Sequence, residues 1–133
     1  MFVKVKGFPP GNFAAIMLFG IVFHKKDLTY RQIRHEKIHI DQLKEFIFFG
    51  LAISLILSFA FQMFWTFLVF PLFLYYIWYG VEWLVRLLLY RDSNVAYKSI
   101  SLEQDAYIGS TDVCPQRTSL GWVKYLFRKY KAV

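Results

Sequence analysis

Residues 46–90 read FIFFGLAISLILSFAFQMFWTFLVFPLFLYYIWYGVEWLVRLLLY, forty-five residues whose only formal charges are Glu82 and Arg86. As one helix the run would be about 67 Å long, more than twice a ~30 Å hydrocarbon core. It therefore divides into two spans, 45–63 and 67–90, with the turn at Gln62–Thr66, where an amide and a hydroxyl interrupt the apolar pattern. Each piece is close to the ~20 residues that cross a bilayer. Pro71 falls early in the second piece, where a helix tolerates proline best. A buried hairpin of a soluble protein would need other segments apolar enough to cover it, and the sequence has none.

Outward from this run the charges take over. Lys4, Lys6, Lys25, Lys26, Arg31, Arg34, Lys37 and Lys44 precede it, and Arg91, Lys98, Arg117, Lys124, Arg128, Lys129 and Lys131 follow it. Both flanks are basic and the turn is not, so the positive-inside rule puts both termini in the cytoplasm, as expected of a two-pass inner (cytoplasmic) membrane protein. The same distribution accounts for the net charge of +7 without a nucleic-acid partner, which is excluded. With 133 residues, 57% of them hydrophobic and 21% aromatic, the chain is one domain and neither disordered nor low-complexity. Cys114 is the only cysteine, ruling out an intrachain disulfide framework and a cysteine-based zinc cluster and implying a plain thiol in a reducing compartment. The first ten residues are polar and include Pro9 and Pro10, and Phe13–Phe23 is too short to span, so no cleavable signal peptide is expected. Glu82 and Arg86 stand four apart on one helical face. They read as a self-neutralising pair with Arg86 snorkelling to the headgroups, the alternative being a polar contact to a site at the membrane surface.

The flanks complete a mainly α membrane protein: a transmembrane helical hairpin, a small N-terminal β-hairpin and a cytoplasmic helix. In residues 1–28, Phe2–Lys6 alternates, Gly7–Gly11 supplies a loop and Ile16–His24 is rich in strand formers. Thr29 reads as the N-cap of a helix over 29–63 that runs on into the first span. Residues 91–133 form a cytoplasmic tail. It holds a helix over Ile100–Ile108, a loop over 109–115, and an interfacial amphipathic helix over 121–131 with Trp122, Tyr125 and Leu126 on its apolar face. The aromatic stretch Phe70–Tyr79 reads as a partner-binding or lipid-facing surface.

Chemistry enters at residues 35–39, His-Glu-Lys-Ile-His. On a helix His35 and His39 share one face a turn apart and can hold one metal ion, with Glu36 beside them as a general base. A zinc site of this kind takes a third protein ligand. Glu103, on the helix that returns after the hairpin, is best placed, and Asp105 is its rival. For polarising a substrate carbonyl, His24, Tyr97 and Tyr107 are the candidates.

This HEKIH followed by a Glu-containing helix resembles the gluzincin type of zinc metallopeptidase. It is similar to the core of integral-membrane peptidases of the CAAX prenyl protease and heat-shock membrane protease kind. The resemblance covers a strand (Ile16–His24), a capped HExxH helix (Thr29–His39) and a helix bearing Glu103-Gln-Asp-Ala106-Tyr107, in which Glu103 matches the family's third ligand and Ala106 its alanine. Tyr107 stands where the family has an aspartate that supports a histidine ligand. The chain also resembles small uncharacterised bacterial membrane proteins with HEKIH-x-x-Q, matched here through Gln42, and a later E-x-[DE]-A-Y. These likenesses imply a Zn²⁺ cofactor, His35, His39 and Glu103 as ligands, Glu36 as catalytic base, and Gln42, Asp105 and Tyr107 around them. They imply a peptide or protein substrate, with the Ile16–His24 strand free to pair with it. The competing expectation is a non-catalytic metal-binding subunit of a larger membrane complex.

Overall fold

The computed structural model describes residues 1–11, 13–62, 66–111 and 117–128. Cys114, residues 63–65 of the expected turn and the end of the expected C-terminal helix lie outside them. The described part is mostly helical with one small sheet. Its elements are β1 (Phe2–Lys4), β2 (Ala15–Leu18), β3 (Ile21–His24), α1 (Tyr30–Phe61), α2 (Thr66–Tyr90), α3 (Ser93–Ser99), α4 (Ser101–Gly109) and a 3-10 helix (Gly121–Tyr125).

The N-terminal sheet differs from the expected hairpin. Ile16–His24 is two strands, β2 and β3, turned on Phe19 and Gly20 at φ 49° and 82°. Positive φ at both loop residues is what a two-residue hairpin turn with the strands' own twist requires, and Gly20 supplies it without strain. β3 lies in the middle, antiparallel to β2 and parallel to β1, so the free edges belong to β1 and β2.

α1 begins with a capping box. The Thr29 hydroxyl accepts from the Gln32 N–H, and the Gln32 side chain accepts from the Thr29 N–H. Without a helix breaker, α1 continues until Gln62 at φ 55°. It meets α2 at Gly50, where an added Cβ would lie 2.5 Å from Pro71 Cα. Gly50, Ser54 and Ser58 recur every four residues and are buried, which lets the two backbones approach. The opposite faces are bare: Phe48, Ile56 and Phe59 on α1 and Val81, Leu84 and Leu88 on α2 are exposed. Both helices are long and apolar enough to cross a membrane.

α3 precedes the expected C-terminal helix and is capped by Asp92, whose side chain accepts from the Asn94 and Val95 N–H groups. Ile100, at the N-cap of α4, has no side chain that can cap it. Glu82 of α2 does so instead, accepting from Ser101 N–H at 2.8 Å and Ser101 Oγ at 2.6 Å. Arg86 does not snorkel. It is buried, pairs with Glu82 at 3.2 Å and donates to the carbonyls of Tyr125, Leu126 and Arg128. The C-terminal flank is likewise corrected: Gly121–Tyr125 is a 3-10 helix, and Trp122 is buried, stacked on Phe46 at 5.2 Å, where it cannot meet lipid. Phe46, Trp122, Tyr75, Ile100 and Leu102, with Leu43 of α1 and Met17 and Val22 of the sheet, form the core, at the end of the hairpin where α1, α2 and α4 meet.

Candidate metal centre

The centre is built at that junction. α1 places His35 and His39 on the face turned toward α4, and α4 brings Glu103 against them. His35 Nε2 and His39 Nε2 are 3.1 Å apart, and Glu103 lies 3.4 Å from the first and 3.2 Å from the second. The three ligand atoms all fall within 4.8 Å of one another. Glu103 is almost fully buried, and among the described residues its Oε2 has no hydrogen-bond partner. Two imidazole nitrogens facing each other beside an unsatisfied buried carboxylate oxygen form a donor set that fits a divalent cation, and the His₂Glu composition suits zinc.

The electrostatics follow from this crowding. Burial opposes charge on Glu103, but the attraction of His39 and His35 outweighs it and holds the carboxyl well below its usual range. Burial pulls His39 down, yet Glu103, Glu36 and Gln42 together raise it to about 9. Glu36 is raised, chiefly by burial, against the pull of the two histidines. Burial and the charge of Glu103 push the Tyr97 phenol up, so it stays protonated.

A second layer orients the ligands. His39 Nδ1 is 2.9 Å from Gln42 Oε1, and Gln42 Nε2 donates to the Leu102 carbonyl and to Asp105 Oδ2, both at 3.0 Å. Because the Gln42 amide nitrogen faces two acceptors, its oxygen faces the imidazole, so Nδ1 carries a hydrogen and Nε2 is the ring nitrogen turned toward His35 and Glu103. The Tyr75 hydroxyl lies 3.3 Å from the same Nδ1, and Tyr79 donates to Glu103 Oε1 at 2.8 Å. Asp105, the rival ligand, is taken up by Arg117 Nε at 2.7 Å and by Gln42. Arg117 also forks onto Glu45 at 2.8 and 3.1 Å, and Glu45 accepts from Leu120 N–H and Trp122 Nε1–H.

A cleft of about 750 Å³ opens over the centre, lined by His35 and Glu36 from α1, Tyr97 and Tyr107 from the flank, and Ala15 at the start of β2. The Tyr107 ring packs on His35 at 4.7 Å between centroids. His24 is not brought there; its Nδ1 sits 2.9 Å from the Lys26 carbonyl oxygen. Tyr75 and Tyr79, read from sequence as part of a lipid or partner face, turn inward. The signal for them was available: Tyr75, Tyr79, Glu82 and Arg86 recur at three- and four-residue spacing and mark one stripe of α2. Glu45 and Arg117 left no such signal.

The chain matches no protein-family model, no curated protein and no solved structure.

Proposed function

We propose that the chain is an integral-membrane zinc metallopeptidase-like protein that hydrolyses peptide bonds at the cytoplasmic face of a bacterial inner membrane. The observation that carries this reading is the convergence of His35, His39 and Glu103, with its unsatisfied oxygen, beneath a cleft that Glu36 lines. His35, His39 and Glu103 would hold the metal. Bound zinc supplies Lewis acidity toward a carbonyl oxygen and acidifies water. Glu36 is the base: its carboxylate takes a proton from the attacking water and delivers it to the departing amine nitrogen as the C–N bond breaks. Burial raises its proton affinity in the direction this role needs. Tyr97 and Tyr107 are the O–H donors able to meet the developing oxyanion. The outer edge of β2 starts at the cleft, which suits an extended peptide added as a further strand. Membrane insertion is supported by the bare apolar faces of α1 and α2.

Metal analysis of the purified chain, wild type against His35→Ala, tests the centre, and Glu36→Gln tests the chemistry. Glu36→Gln should keep zinc and membrane insertion and lose ~10²–10⁴-fold of peptide turnover, the share of a general base. If a strain carrying Glu36→Gln behaves as wild type while His35→Ala does not, the protein is a non-catalytic metal-binding subunit.

A further inference from the structure

We propose that Arg117 is a positioning residue for the metal ligand His39, acting through the hydrogen-bonded chain Arg117–Asp105–Gln42–His39, and that this chain sets how tightly the centre holds a divalent cation. The inference rests on the metal-centre reading above. Its elements are distant in sequence and contiguous in space: Arg117 Nε to Asp105 Oδ2 at 2.7 Å, Gln42 Nε2 to the same oxygen at 3.0 Å, and Gln42 Oε1 to His39 Nδ1 at 2.9 Å.

The chain has a direction. The Leu102 carbonyl can only accept, and Asp105 Oδ2 accepts from Arg117 Nε–H, so the Gln42 amide presents its NH₂ to both and its carbonyl oxygen to His39. That fixes a hydrogen on Nδ1 and leaves Nε2, turned toward His35 and Glu103, as the atom that would ligate. Were Gln42 to flip, its NH₂ would face Nδ1, the imidazole hydrogen would move to Nε2, and His39 could no longer ligate through that atom. Arg117 holds Asp105 in place through its Nε–H. Its other two nitrogens are tied to Glu45, one turn beyond Gln42 on α1. Gly121 completes the enclosure, since a Cβ there would sit 2.6 Å from Asp105 Oδ1. In metal sites such outer partners are worth ten- to a hundredfold in affinity. A plain structural clamp between α1 and α4 would instead affect folding and leave metal affinity alone.

The test is a double-mutant cycle on the detergent-solubilised full chain, reading the zinc dissociation constant by chelator competition and the thermal midpoint of the metal-free protein. Gln42→Met should weaken zinc about ten- to a hundredfold. Arg117→Gln should weaken it in the same direction, and adding Arg117→Gln to Gln42→Met should cause no further loss, because the chain is already cut. Asp105→Asn, which keeps the side-chain shape, should reproduce the Arg117→Gln effect and serves if Arg117→Gln does not fold. Lowered midpoints with wild-type zinc affinity for Arg117→Gln and Asp105→Asn would overturn the proposal, as would losses that multiply in the double variant. His39→Ala separates the two readings. If it binds zinc as wild type does, the metal centre itself is wrong and this proposal falls with it. If it loses zinc while Asp105→Asn and Arg117→Gln do not, only the positioning role fails.

Discussion

His35 and His39 face each other through Nε2 atoms 3.1 Å apart, and two lone pairs at that distance repel unless a proton or a cation lies between them. On the proposed reading Glu103 is the group that would make a cation the better occupant, because its buried carboxylate offers an oxygen without a hydrogen-bond partner among the described residues. Glu103→Ala should therefore abolish stoichiometric zinc binding, leaving a two-histidine site. Tyr79→Phe removes only one hydrogen bond from Glu103 Oε1 and should weaken zinc by no more than about a hundredfold, the upper end for an outer partner. Chelator competition on both variants checks the order; equal losses would move the weight of the site from the carboxylate to its support. The sequence made the two histidines and Glu36 legible because helical periodicity alone puts them on one turn. It also singled out Glu103, but not the partners that hold Asp105. Asp105 answers to Arg117 and Gln42, partners twelve and sixty-three residues away, and an ion pair across such a separation leaves no period to read.

At the scale of elements, two devices hold α4 and its Glu103 in register. The first is the close approach of α1 and α2 at Gly50 and Pro71. Gly50→Ala places a methyl where the neighbouring backbone already stands, so the helices must part, at a cost of about 1–3 kcal/mol for overpacking. A lowered thermal midpoint in detergent checks this, and an unchanged midpoint would mean the helices slide freely. The second is the Glu82–Arg86 pair, which caps α4 at one end and gathers the carbonyls of the 3-10 turn at the other. Glu82→Ala strands a buried guanidinium and should cost about 3–5 kcal/mol, while replacing both residues by methionine should cost less than the single change. Measured midpoints of the single and double variants decide it. From sequence the pair was legible as an i,i+4 contact, but its partners Ser101 and Leu126 were not, since they depend on the flank folding back. The same limit explains β2 and β3: one glycine inside a run of strand formers was the whole signal for the turn.

At the scale of the molecule, the hairpin sets everything at one end. Residues 35–39 and 103 are far apart in the chain, yet α1 and α2 run antiparallel and return α3 and α4 to the level where α1 begins, as the contacts of Tyr75 with His39 and Tyr79 with Glu103 record. That end collects the sheet, both flanks and their basic residues, while the two helices carry exposed Phe59, Ile56, Leu84 and Leu88 along their length. An apolar girdle of this size in water would drive aggregation, whereas in a bilayer it is solvated by lipid. The basic flanks resist translocation, so the flanks and the metal centre should face the cytoplasm and the turn after Gln62 the opposite side. An alkaline phosphatase fused after Gln62 should be active and a fluorescent protein fused to the C-terminus should fluoresce. Dark C-terminal fusions with active phosphatase there would place the centre outside the cytoplasm and sink the topology. If instead the chain floats free of membranes in cell fractionation, the bare faces of α1 and α2 must be covered by protein, and the hairpin would be the binding surface of a complex.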